Sequence, residues 1–553
     1  MYFDALRKAE ADVNAMLCNQ ITDEEDPYYG GVRSIDTWDV NFHDTAALYV
    51  WAIRLYLLRD SSYYEKEALY GRIQAAHHYC MKWKHEDGTK DYIDCDFHTA
   101  AGSEVQNLAK NIHIIDRHGA GKRKAFLRQQ MVELMQALAE GLVSGGFHTP
   151  NHRWIFSGAL AAANSISYDQ RYLDKIEQYL QEGIDCDEDG EYAERSAGIY
   201  SYVTNEGLIL MARYLKRPKY YEYVRRNLYM LRYYMEPDGS IFTMNSTRQD
   251  QGTKVWAEKY LSQYLYIGEI LKDKTLLETA DRLCLSAREN GREIPLSLEF
   301  LLLNEGFMNY EPREAQEEPP LLEAYFKNAN IVRRVHGKNS LTIIPDSKTF
   351  LYARFGEIDL FMRMSAHFFK VRNIAPQHLE QTDRGYHLTF SAEGNYLLPF
   401  REKPETSDWW KMDHSKREVL KRTSLEVTLD VMPTGEDGSM EQGIEFALNT
   451  RTCENVPFRV EIGISPNCLI RGKSFMCKAQ PGMWLIPTEG YIVAETNRSG
   501  IEIGEVFGEH GKVNGREGSA PRSSTHMTVY LNQVCTGQTR VFHIKKVKQE
   551  GLK

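Results

Sequence analysis

The sequence predicts a chain of two unlike parts, an α-helical part followed by an antiparallel β part. Three observations predict it. Apolar residues recur at helical spacing over roughly the first 300 residues, a Glu/Pro-rich stretch breaks the chain at 311–320, and apolar residues alternate beyond it. A chain of 553 residues is also too long for one ordinary core, which argues for two or more domains.

The helical part comes first. In LRQQMVELMQALAEGLV, Met131, Leu134, Met135, Leu138 and Leu142 recur at steps of three and four, one apolar face of a helix. Similar patterns cover 43–58, 64–83, 104–116, 153–167, 169–182, 203–235, 256–271 and 274–290. Short turns such as HEDGTKD and EPDGS separate them. About a dozen helices paired as hairpins would suit a closed ring of six hairpins or an open α-solenoid. The helical domain is expected over 1–315.

EPREAQEEPP at 311–320 has the composition of a linker. After it the period becomes two. SLTIIPD, TFLYARF, DLFMRM, YHLTFSAEGNYLLP, SLEVTLDV, RVEIGI, GYIVAE, HMTVYL and TRVFHI are strand-like runs bounded by Gly, Asn, Asp and Pro. Many strands with no helix between them predict an antiparallel β-sandwich over 325–553.

Composition narrows the function. Hydrophobic residues make up 42% and charged residues 26%, as in a globular protein. The net charge of −10, with no basic stripe, speaks against a nucleic-acid partner. No stretch approaches a transmembrane span, so no membrane partner is expected. The N-terminus MYFDALRKAEADVNAML lacks an apolar h-region and a small-residue cleavage site. The chain as given reads as cytoplasmic, or as secreted or periplasmic if a leader has been removed. Nine cysteines without a CxxC pair read as reduced thiols rather than a disulfide framework. Tyrosine is abundant, 33 against 22 Phe and 8 Trp, and amphipathic rings of this kind suit sugar faces as well as half-buried helices.

Two segments carry candidate chemistry. In GGFHTPNHRWIFSGALAAA, residues 145–163, a Gly- and Pro-containing loop delivers Asn151, His152, Arg153 and Trp154 to the start of an Ala-rich helix. Unpaired backbone N–H groups make that a favourable place for an anion. Asn151 can donate through its amide, His152 can donate or accept, Arg153 brings charge and Trp154 can stack on a sugar. The plainer account is that Asn151 caps the helix and His152 is a surface residue. In DCDEDGEYAERSAGIYSYVTNEGL, residues 185–208, an acidic Gly turn leads through Glu194 and Arg195 to Tyr200 and Tyr202. The plainer account of Tyr200 is packing.

Together these segments resemble the polysaccharide lyases built from an (α/α) toroid followed by an antiparallel β-sandwich. That group includes the chondroitin AC and hyaluronate lyases, the heparinase II/III-like enzymes and the oligoalginate lyases. Asn151-His152-Arg153-Trp154 fits the family's Asn-containing helix start, which meets the substrate carboxylate. Asp189, Gly190, Tyr192, Glu194 and Arg195 precede Tyr200 as in the family's stretch leading to its catalytic tyrosine. RNIAPQHLEQTDRGYHLTFSAEGNYLLPF is similar to the family's paired β strands, and DWWKMD to its Trp-containing loop. The Pro-Gly-Thr expected after that loop is replaced by DHSKREV.

The resemblance implies cleavage of a uronic-acid-containing glycan by β-elimination, giving a C4–C5 unsaturated product. Asn151, helped by His152 or an Arg, would hold the substrate carboxylate. Tyr200 would carry the proton, with Arg195 beside it and Tyr202 as its rival. Glu194, Arg153 and Trp154 would bind substrate. Arg248, with Gln249 and Asp250 in NSTRQDQG, would line the same cleft, and His378 or His387 would come from the β domain. No cofactor is required by this chemistry. DCDEDG matches the first half of a calcium loop through Asp185, Asp187, Asp189 and Gly190, but Ser196 stands where the bidentate acid is expected, so an acidic turn is the simpler reading. No His/Cys set has zinc spacing. Two other functions fit parts of the sequence. A glycoside hydrolase on the same toroid would need paired carboxylates, for which Asp94 and Asp96 with Asp189 or Glu194 are candidates. A glycan-binding protein would not depend on Tyr200.

Overall fold

The computed structural model describes residues 1–91, 99–145, 149–314, 321–435, 439–452, 455–515 and 517–547. It divides into two compact units, Met1–Met235 with Gly239–Glu317 and Glu236–Asp238 with Glu318–Lys553. Asp94, Asp96, Gly146–His148 and the last six residues of the Glu/Pro stretch lie outside the described residues.

Among the described residues the first unit holds twelve α-helices. They are α1 (Tyr2–Cys18), α2 (Phe42–Leu57), α3 (Glu67–Trp83), α4 (Gly102–His118), α5 (Lys124–Ser144), α6 (Pro150–Asn164), α7 (Gln170–Leu180), α8 (Tyr200–Tyr214), α9 (Lys219–Tyr234), α10 (Leu261–Leu271), α11 (Lys274–Glu289) and α12 (Leu298–Leu303). Five hairpins, α2/α3, α4/α5, α6/α7, α8/α9 and α10/α11, follow one another, and α12 returns to pack on α1 and α4. The periodic segment 203–235 is two helices rather than one. Lys216 turns left-handed at φ +55 and Pro218, which lacks an N–H, starts the next helix. Helix α1 was not among the periodic segments, because only Ala5, Leu6 and Val13 of its seventeen residues are buried.

One helix of each hairpin belongs to an inner set, α2, α4, α6, α8 and α10, whose members run parallel and level with one another. Hydrogen bonds fix this register. His43 meets Glu104 at the starts of α2 and α4, and the Asn111 amide donates to the Val50 carbonyl lower down the same pair. The Gln106 amide donates to the Ile155 carbonyl between α4 and α6, and Gln263 donates to the Tyr202 carbonyl between α10 and α8. The starts of all five helices therefore share one end of the unit.

Between α6 and α8 the contact is backbone to backbone. A Cβ on Gly207 would fall 2.3 Å from the Trp154 carbonyl oxygen, and one on Gly158 would fall 2.8 Å from Gly207 Cα. Two glycines thus let these helices approach more closely than side chains allow. Burial elsewhere follows the apolar stripe. Met131, Leu134, Met135, Leu138 and Leu142 of α5 are all buried, as their spacing predicts.

The second unit is two sheets. One of nine strands runs in the order 378–382, 385–397, 419–434, 443–452, 539–546, 500–504, 491–495, 469–471, 476–478. One of eight runs 484–485, 527–534, 457–464, 358–366, 349–355, 339–343, 331–336, 322–326. Among the described strands every pairing is antiparallel except that of 484–485 with 527–534. Along Val419–Thr434, Thr423, Leu425, Val427, Leu429 and Val431 are buried while their neighbours are not, the period-two pattern of a strand with one face on a core. Leu425, Val427, Leu429 and Val431 join Ile444, Phe446, Val460, Ile462 and Val529 in one apolar cluster shared by the two sheets. The arrangement is an antiparallel β-sandwich. No described helix is long and apolar enough to cross a membrane, and the described cysteines are all free.

Candidate active site

The site assembles on the shared end of the inner helices. Pro150 occupies the first turn of α6, where its missing N–H costs nothing, and Thr149 is the N-cap. Asn151 follows inside the helix and is not the cap. It is 1% exposed. Its amide nitrogen donates to both carboxylate oxygens of Glu194, at 3.0 and 2.8 Å, and to Thr149 Oγ1 at 3.1 Å. Glu194 comes from the turn that precedes α8. Burial pushes its carboxyl above the ordinary range, against the opposing pull of the Asn151 amide and the Arg248 charge.

Arg248 joins this pair to the tyrosine. Its Nη1 lies 3.4 Å from Glu194 Oε1, and its guanidinium carbon sits 4.8 Å from the centroid of the Tyr200 ring. The next residue, Gln249, donates its amide N–H to the Tyr200 hydroxyl oxygen at 2.6 Å. Asn151, Glu194, Arg248, Tyr200 and Gln249 therefore form one connected chain, drawn from three segments far apart in sequence. Tyr200 is the first residue of α8, and its backbone N–H donates to Ser196 Oγ.

Asp250 holds the two loops together. It is fully buried and accepts from Ser196 Oγ (2.8 Å), the Gly198 N–H (2.9 Å) and Ser246 Oγ (2.6 Å). A carboxylate with three donors is a strong tether. It fixes the Arg248–Gln249 loop against the turn that carries Tyr200, and so acts as a positioning residue rather than a lining one.

Several residues expected at the site do other work. Trp154 is fully buried and its indole N–H donates to Asp185 Oδ1, so it is core and presents no face to a sugar. Arg153 is buried in an ion pair with Glu182, 3.0 Å away, and Asp185, 3.6 Å away. Helical geometry explains both, because consecutive residues on α6 point in different directions and only Asn151 faces Glu194. His152 stacks on Phe156 one turn along. Tyr202 lines a cavity of about 190 Å³ together with Lys110, Glu206, Arg213, Gln263 and Glu299, and burial pushes its phenol up to about 12. Arg195 adopts φ +51, and its charge acts on Glu191. The cation over Tyr200 is Arg248 instead.

In the acidic turn, Asp185 also accepts from the Ala193 N–H, and Asp187 accepts from Gly190 and Glu191 N–H groups. Among the described residues no group of three His, Cys, Asp or Glu is placed to hold a metal. In the β unit, His378 is exposed on the terminal strand of the nine-stranded sheet, and His387 Nδ1 lies 2.6 Å from Asp430. Trp409 and Trp410 are exposed, Trp410 at 87%.

Glu191 was not singled out from the sequence. It is buried beside the site, accepts from the Tyr234 hydroxyl at 2.7 Å, and burial pushes its carboxyl up to about 7 despite that bond and the Arg195 charge. A carboxyl raised in the folded state favours folding below its ordinary value near 4.5 and loses that advantage as pH rises through about 7. Glu191→Gln keeps an acceptor for Tyr234 and removes the titration. The variant should gain on wild type between pH 5 and pH 8 by up to roughly 3 kcal/mol. Urea midpoints at both pH values measure this, and an unchanged difference would rule it out.

No protein-family model and no curated protein matches the chain. Solved structures do match it. Paenibacillus xanthan lyase has a TM-score of 0.57 at 8% identity, with 99% of this chain and 57% of that chain covered. Chondroitin AC lyase of Streptomyces coelicolor A3 has a TM-score of 0.50 at 10% identity, with 99% and 80% covered. Heparan sulfate lyase HepC of Pedobacter heparinus stands at 0.48, 11% identity, with 99% and 83% covered. The chain has the polysaccharide-lyase fold, an α/α toroid followed by an antiparallel β-sandwich.

Proposed function

We propose that the protein is a polysaccharide lyase that cleaves a uronic-acid-containing glycan by β-elimination. The connected chain from Asn151 to Tyr200 supports this reading most, because it sets a buried amide–carboxyl pair, a guanidinium and a phenol side by side. Elimination needs those functions together. The C5 proton of a uronic acid is hard to remove, since its loss builds negative charge beside a carboxylate. Asn151, Glu194 and Arg248 are the groups to meet that carboxylate. A Glu194 carboxyl raised by burial can share a proton with it, and Arg248 adds charge. One preorganised donor at such a position is typically worth about 3–4 kcal/mol.

Tyr200 is the proton carrier. Reacting as the phenolate, its oxygen accepts the C5 proton as the C5–H bond breaks and the C4–C5 double bond forms, which leaves the neutral phenol. The same oxygen returns a proton to the glycosidic oxygen as the C4–O bond breaks. Negative charge on the phenolate oxygen, before it takes the C5 proton and again after it protonates the leaving oxygen, meets the Gln249 N–H and lies near the Arg248 guanidinium. Atoms and electrons balance with no oxidant, reductant or added water.

An ultraviolet screen against a panel of uronic-acid polysaccharides and their oligosaccharides tests the reading. A new C4–C5 double bond absorbs and is the expected result. Chain cleavage without absorbance would mean hydrolysis, and binding without cleavage would mean a glycan-binding protein. Either outcome overturns the proposal.

A further inference from the structure

A second polar cluster lies on the same end of the inner helices, two helices along from Asn151. His43, near the start of α2, brings Nδ1 to 2.8 Å from Glu104 Oε1 near the start of α4. Lys90 Nζ reaches the same oxygen at 2.6 Å. Glu104 and Lys90 are 3% and 4% exposed, whereas the His43 side chain is 48% exposed. The buried lysine and glutamate offset one another. The imidazole is the member of the three that faces solvent. With Nδ1 engaged by Glu104, the opposite ring edge bearing Nε2 is the one left to a ligand. The Glu104 hydrogen bond, and after it the Glu104 charge, hold His43 protonated to a higher pH than an ordinary imidazole, against burial and Lys90, with Asp44 adding to the effect.

An independent feature directly precedes it in the chain. The chain enters α2 from a two-stranded hairpin in which Arg33 pairs with Val40. Its turn exposes the Trp38 side chain at 71%, and the Arg33 guanidinium lies 5.6 Å from the Trp38 ring. An exposed indole, a guanidinium and an exposed imidazole within eleven residues combine a stacking face for a sugar ring with donors for an acidic group. Neighbouring packed helices are spaced by ~8–10 Å. This cluster thus lies beyond the reach of the sugar held at Asn151, but on the same rim.

We infer that His43, held by Glu104, together with Trp38 and Arg33 of the hairpin that leads into its helix, is a second recognition point for a carboxylate or sulfate on a sugar distant from the scissile bond. The inference rests on the reading that this rim takes an acidic glycan, and it adds that the substrate carries acidic groups at more than one residue.

Histidine footprinting of the full chain with diethyl pyrocarbonate tests it. The probes are a heparosan octasaccharide, which carries carboxylates alone, and a heparin octasaccharide, which adds sulfates. Glucuronate is the length control and N-acetylhistidine added to each sample the reference. His43 labelling should be suppressed saturably by at least one octasaccharide and not by glucuronate at equal concentration. Protection by both assigns the carboxylate, and protection by heparin alone assigns the sulfate. His43→Gln should weaken binding of the protecting octasaccharide roughly threefold to tenfold, with an unchanged melting temperature. Labelling of His43 that neither octasaccharide alters overturns the inference. The footprint needs no turnover. Unsaturated product with unprotected His43 rejects this point and leaves the lyase reading intact. Protection without unsaturated product from any polymer does the reverse.

Discussion

Tyr200→Phe is expected to abolish turnover while leaving glycan binding nearly intact. Phe keeps the ring beneath Arg248 and removes only the oxygen that Gln249 contacts. Losing a proton-transfer group typically costs about 10²–10⁴-fold in rate, and the loss should appear in kcat with little change in KM. Tyr202→Phe is the internal control. Tyr202 faces the cavity lined by Lys110 and Glu206, so its hydroxyl is not at the site and most activity should remain. A dead Tyr202→Phe beside an active Tyr200→Phe would move the proton carrier by two residues. Activity in both on a verified substrate would remove tyrosine from the role. Asn151→Ala should behave differently. It frees the Glu194 carboxyl from its amide partner and should lower both affinity and rate, because the carboxylate is held in the ground state and more tightly in the transition state.

Gly207→Ala is expected to damage the site from a distance. A Cβ there would stand 2.3 Å from the Trp154 carbonyl oxygen, on the backbone of α6, so no side-chain rotation can relieve it. The helices must part. Overpacking of this kind typically costs about 1–3 kcal/mol of stability. Asn151 lies one turn up α6 from that contact, and Tyr200 leads the helix that carries Gly207. A shift of about 1 Å between catalytic groups can cost roughly 10²-fold in rate. Gly71→Ala is the matched control. Gly71 also lies inside a helix, α3, but a Cβ on it meets nothing within 4 Å. That variant should gain about 0.5–1 kcal/mol from reduced backbone freedom. Thermal melts and kcat on the same samples separate the two. Equal behaviour of the two variants would remove close helix approach as the device that sets the site.

The glycines show where a sequence stops being legible. Gly158 reads as a small residue in an Ala-rich helix, and Gly207 as a helix blemish. Their meaning lies in each other, because the close contact exists only after α6 and α8 meet. Trp154 shows the converse failure. Its neighbours made it a candidate for sugar stacking, but the direction of a helical side chain depends on which neighbour the helix packs against, and Trp154 turned to Asp185. Arg248 and Gln249 had loop position as their only sequence signal, and Glu191 and His43 had none. Each acquires a role from a partner distant in the chain.

The sequence by itself determined the order of helices and strands, the alternating burial of the sandwich and the pairing of Asn151 with the Tyr200 segment as candidates. Those properties are local, since a period of 3.6 or 2 is set by backbone geometry and by which residues avoid water. Only the tertiary structure decided which cation stands over Tyr200, which tyrosine faces Gln249 and which acid receives the Asn151 amide. Those choices depend on helix register and on close approach between elements. Distances of a few ångströms between groups tens of residues apart are set by the packing of the whole unit and not by any segment of it.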